Sequence, residues 1–91
     1  MRAEAVIPTF IRPYQHGETV GDLRIGWASW DGNQYKARSI KWAYRDESGK
    51  ISRGSPEIPL DMLADMVVLA HEQGELDASD VAKIRTAIGS V

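Results

Sequence analysis

The chain contains no cysteine, which excludes a disulfide framework and any thiolate metal site. Its only histidines, His16 and His71, lie far apart, and no zinc-type spacing joins them. There is no phosphate loop, no dinucleotide-binding glycine fingerprint and no Gly-x-Ser-x-Gly elbow. The serines at 29, 39, 48, 52, 55, 79 and 90 have no evident base partner. Catalysis needs convergent groups of matched reactivity, so neither a catalytic residue nor a metal or cofactor is expected, and the chain is not read as an enzyme. No apolar run is long enough to span a bilayer. The opening residues 1–8 lack the apolar stretch of a signal peptide. A cytoplasmic protein of bacterial or phage origin, with no membrane partner, is therefore expected.

Excess charge is also missing, since the formal net charge is only −2. The distribution is less even than the total. Residues 24–53 carry seven basic side chains against Asp31, Asp46 and Glu47, whereas residues 54–91 carry Lys83 and Arg85 against seven acidic ones. Segregation of this kind can build a positive surface on a net-negative molecule. Ninety-one residues make one domain with a thin core, for which dimerisation is an economical way to bury more surface.

What is present is concentrated in residues 35–45. Tyr35, Trp42 and Tyr44 are interleaved there with Lys36, Arg38, Lys41 and Arg45. Read as a strand, one face carries Lys36, Arg38, Ile40, Trp42 and Tyr44, and the other Tyr35, Ala37, Ser39, Lys41, Ala43 and Arg45. Flat rings beside cations are what stacking bases and holding a phosphate backbone require. The turn signals Asp31-Gly32-Asn33 and Asp46-Glu47-Ser48-Gly49 bound this strand. Residues 23–30 alternate before it, with Leu23, Ile25 and Trp27 on one face, expected toward a helix. Gly26 is expected to mark a bulge or bend.

Lys50 to Arg53 is expected to start a third strand, and Ile58 to close a fourth after Gly54-Ser55-Pro56. Residues 1–22 read as an arm with an edge strand around residues 6–12, and His16 as a solvated loop residue. Pro59 precedes a strong helical pattern. Leu60, Leu63, Ala64, Val67 and Ala70 form one stripe, and Met62, Met66 and Leu69 a second. So wide an apolar arc needs cover on two sides; the second stripe is the expected dimer interface. Gly74 is a stop signal, and residues 77–88 form a shorter helix capped by Asp77 or Ser79. The fold class is α+β, an antiparallel four-stranded meander followed by one long apolar helix and a short C-terminal helix. Residues 23–91 form the single sheet-plus-helix domain.

The order Leu23-Arg24-Ile25, a short Asp-Gly turn, Ile40-Lys41-Trp42-Ala43-Tyr44, Asp-Glu-Ser-Gly-Lys, Ser52-Arg53-Gly54 and Ile58-Pro59-Leu60 resembles the positive cofactor four family. These are transcriptional coactivators that bind single-stranded DNA, and the likeness covers residues 23–73. It implies a curved four-stranded sheet, dimerisation through the following helix, base stacking by Trp42 or Tyr44, and backbone contacts from Lys36, Arg38, Lys41, Lys50 and Arg53. The second helix has no counterpart in the minimal family fold, and Glu57 stands where the family favours positive charge.

Two functions are thus expected. The first is a dimeric binder of single-stranded DNA or RNA, using Lys36, Arg38, Lys41, Trp42, Tyr44, Arg45, Lys50 and Arg53 in an accessory role in transcription or replication. The alternative is a small protein-interaction module, such as a phage-encoded inhibitor of the anti-CRISPR kind, with Trp27, Trp30 and Trp42 as anchors on a host protein.

Overall fold

The computed structural model describes residues 9–32 and 34–89. It divides into two units, Met1–Asp61 and Met62–Val91, and each is described by itself. The chain is α+β, a four-stranded antiparallel meander followed by two helices.

The strands are β1 (Phe10–His16), β2 (Thr19–Trp27), β3 (Arg38–Tyr44) and β4 (Glu57–Pro59), hydrogen-bonded in that order. Four strands were expected, but their membership differs. The arm supplies a full strand, β1, paired with β2 over its whole length. Pro13 sits mid-strand because β1 is an edge, where a missing N–H costs no ladder bond. Gly17, at φ 61°, provides the positive φ that the two-residue turn between His16 and Thr19 needs. The segment Lys50 to Arg53 makes only one isolated bridge, Ile51 to Arg45, and is not a strand. Asp46 explains this: its side chain accepts from the N–H groups of Ser48 and Lys50 (2.9 and 3.1 Å) and holds the backbone in a turn.

The connection from β2 to β3 is wide, not a tight hairpin. Ser29–Asp31 forms one 3-10 turn ending at left-handed Gly32, and β3 starts only at Arg38. Tyr35 lies at φ 56°, a region that breaks strand alternation, so Tyr35 and Lys36 are loop residues. Gly26 pairs in regular register with Ser39 and marks no bulge; a Cβ there would lie 2.9 Å from the Thr9 hydroxyl. At Gly21 a Cβ would press on the Ala43 carbonyl and lie 2.7 Å from Tyr44 Cα. Glycine is what lets these two strands approach.

A 3-10 turn at Leu60–Met62 precedes α1 (Leu63–Glu72), the first helix of the second unit. The stop at Gly74 is as the sequence predicts. Gly74, at φ 73°, donates to His71 O while Glu75 donates to Ala70 O, the paired bonds of a Schellman cap. Asp77 caps α2 (Ala78–Ile88) by accepting from Asp80 N–H at 2.8 Å. Val67, Val68 and His71 of α1 line an apolar groove with Val81 and Ile84 of α2. The core is thin: among the described residues Ala28 and Ala43 are the buried apolar side chains, and no large side chain is fully buried. No helix among the described residues is long and apolar enough to cross a membrane.

Candidate nucleic-acid interface

Pairing register decides which side chains share a face. Phe10, Ile25, Ile40 and Ile58 make one row across the sheet; Arg12, Leu23 and Trp42 make the next, and Tyr14, Gly21 and Tyr44 a third. Trp27 pairs with Arg38 at the other end of the same face. Leu23, Ile25 and Trp27 therefore do not oppose Trp42 and Tyr44. All of them stand on one side, because the residues facing each other across a ladder point the same way.

Two ring clusters occupy the ends of this face. At one end Trp42 meets Tyr14 edge-on at 5.7 Å, His16 at 6.5 Å, and Tyr44, tilted, at 6.2 Å. His16 is thus not the solvated loop residue expected from sequence, although it stays exposed. Ser52 Oγ donates to the Tyr44 hydroxyl at 3.1 Å and anchors that ring to the loop bearing Lys50 and Arg53. At the other end the Arg38 guanidinium lies 4.8 Å from the Trp27 ring centroid, a cation–π contact. Tyr35 leans on Trp27 at 5.9 Å.

The reverse face is built differently. Its central row is Ile11, Arg24, Lys41 and Glu57. Arg24 is bridged to Asp22 at 2.9 Å. Glu57 accepts from Ser29 N–H (3.1 Å), Ser29 Oγ (2.5 Å) and Ser39 Oγ (2.6 Å), tying β4 to β3 and to the 3-10 turn. Burial pushes the Glu57 carboxyl up, but the Ser29 and Ser39 hydrogen bonds and the nearby Lys41 charge outweigh it and hold it below its ordinary value. Asp46 is also held below the ordinary carboxylate value, chiefly by the Ser48 hydroxyl and then by the Lys50 N–H.

The residues singled out from sequence therefore do not form one patch. Trp42, Tyr44 and Arg38 share the ring face. Lys41 stands on the reverse face beside Glu57, because its strand position alternates with Trp42. Lys36 is an exposed loop residue. Arg45 donates to the Gly49 carbonyl at 2.9 Å and closes the turn, while Lys50 and Arg53 are exposed beyond β3. Met62, Met66 and Leu69 are exposed in the helical unit. Sequence reasoning missed Arg12, Tyr14 and His16. The signal was the alternation of residues 10–16 before Gly17, which Pro13 obscured. Among the described residues no three His, Asp or Glu side chains gather as metal ligands.

Comparison of the chain with protein-family models, with curated proteins and with solved structures finds no match.

Proposed function

We propose that this protein binds single-stranded nucleic acid on the ring face of its sheet and works as a homodimer. The observation that carries the reading is the exposed Tyr14 and the half-buried Trp42 and Tyr44 gathered on one face with Arg12 and Arg38. Rings of this kind stack bases without regard to sequence, and cations beside them hold phosphates. Arg12 replaces Lys41 in the contact set, with Lys50 and Arg53 flanking. The resemblance of residues 23–73 to the positive cofactor four family points the same way, and the role is an accessory one in transcription or replication. Exposure of Met62, Met66, Val68 and Leu69 supports association of two copies through the helical unit, since apolar patches of this kind mark interaction sites.

Titration with oligothymidine at low salt should quench tryptophan fluorescence, and absence of quenching at tens of micromolar protein ends the reading. Sedimentation should report a dimer that Met66→Asp converts to monomer; a monomeric native protein removes the dimer half of the proposal.

A second reading is favoured by Phe10, Ile11 and Val20, large apolar side chains exposed on β1 and β2. They fit a protein-interaction module that captures a host protein. Pull-down from lysate after nuclease treatment separates the two, because capture through nucleic acid would not survive it.

A further inference from the structure

We infer a second nucleotide subsite at the Arg38 end of β3, in the hollow lined by Trp30, Lys36, Ala37, Arg38, Leu60 and Asp61. This inference rests on the nucleic-acid reading and extends it: the bound strand would run along β3 from the Tyr14, Trp42 and Tyr44 cluster to this hollow. Three independent observations point to an anionic, flat ligand.

The first is unsatisfied donors. Among the described residues Arg38 Nη1 and Trp27 Nε1 are buried with no hydrogen-bond partner, and of these two side chains Arg38 lines the hollow. Buried polar groups are ordinarily paired, so the Arg38 donor beside the hollow calls for an acceptor. Arg38 is held on Trp27 at 4.8 Å, which orients a guanidinium of the kind that pairs with phosphate or base oxygens.

The second is ring exposure. Trp30 is 49 % exposed and lines the hollow with Lys36 and Arg38, the combination that stacks a base beside its phosphate.

The third is how the loop is held. The Asp31 carboxylate accepts the N–H groups of Lys36 and Ala37 at 3.2 and 3.1 Å. It holds the loop so that Trp30 and Lys36 line the same hollow as Arg38. Tyr35 accepts a left-handed φ within this loop. Asp61 is the one carboxylate lining the hollow, and it opposes an anionic guest.

From Arg38 to Trp42 the strand advances about 13 Å, at roughly 3.3 Å per residue. One nucleic-acid strand can therefore engage both clusters only if it lies along β3.

The test is the affinity of a labelled thymidine dodecanucleotide, by fluorescence anisotropy over a salt series. Trp30→Ala should weaken binding roughly five- to a hundred-fold, the worth of one stacked base. Lys36→Ala, an exposed position whose loss leaves the packing intact, should reduce the salt slope by about one. Asp61→Asn should tighten binding. Trp42→Ala is the control on the parent reading. If the native protein binds and Trp42→Ala weakens it, but Trp30→Ala or Lys36→Ala binds as the native chain does, the second subsite is overturned and the first stands. If the native protein does not bind the oligonucleotide at all, both are overturned.

Discussion

The two faces of the sheet use the same strands for opposite ends. On the reverse face the carboxylates are answered within the chain: Asp22 bridges Arg24, whose Nε stays unpartnered among the described residues, and Glu57 takes three hydrogen bonds and the field of Lys41. On the ring face the Arg38 guanidinium lies over the Trp27 ring, and its buried Nη1 has no hydrogen-bond partner among the described residues. A closed set of polar contacts stabilises a fold, whereas exposed rings beside cations are a means of binding something else. Under the proposed function, the first face serves structure and the second recognition.

That assignment is breakable. The largest effect should come from Trp42→Ala, which removes the ring that Tyr14, His16 and Tyr44 all touch. Each stacked base is worth about 1–3 kcal/mol, so oligothymidine affinity should fall at least several-fold in a titration, with far-UV circular dichroism checking the fold. Unchanged affinity in a folded variant would remove the ring face from the mechanism.

Gly21→Ala should lower stability by about 1–3 kcal/mol, the usual cost of forcing atoms into a packed site, because its Cβ meets the backbone of Ala43 and Tyr44. A urea midpoint shift measures it; no shift would show that β2 and β3 can part without cost.

The two faces are compared most directly by Arg12→Ala and Lys41→Ala. The first should make the salt dependence of binding shallower by about one unit of slope, as expected for one lost phosphate contact. The second should leave binding unchanged, since Lys41 stands on the reverse face. Equal effects would erase the distinction.

The smallest effect is on pH. Glu57 is held below its ordinary value of 4.5 in the folded chain, so the stability it contributes is present above that pH and is lost as pH falls through its lowered folded value. Glu57→Gln should flatten this acid limb in denaturation curves taken between neutral pH and pH 3, roughly the range where carboxylates titrate. An unchanged limb would mean that the hydroxyl contacts do not favour the ionised form.

Much of this was legible in the chain. Alternation in residues 35–45 placed Arg38, Trp42 and Tyr44 on one side and Lys41 on the other, because side chains of a strand alternate whatever lies around them. Gly74 and Asp77 marked helix ends through local backbone chemistry, and both are used that way. β1 was harder to see, since Pro13 argues against a strand until its place on an edge is known. The strand expected at Lys50 to Arg53 failed for a related reason. Hydrogen bonds accepted by the Asp46 carboxylate compete with the ladder, and propensity alone does not weigh them.

The sequence by itself determined the classes of contact available: rings, cations and turns, with no thiol and no linked metal ligands. It also determined the order of strands before helices, since these follow from side-chain chemistry and local periodicity. Only the tertiary structure decided which strands share a face. Cross-strand register is fixed by the pairing of residues distant in the chain, and it brought Tyr14 to Trp42, Trp27 to Arg38, and Lys41 to Glu57.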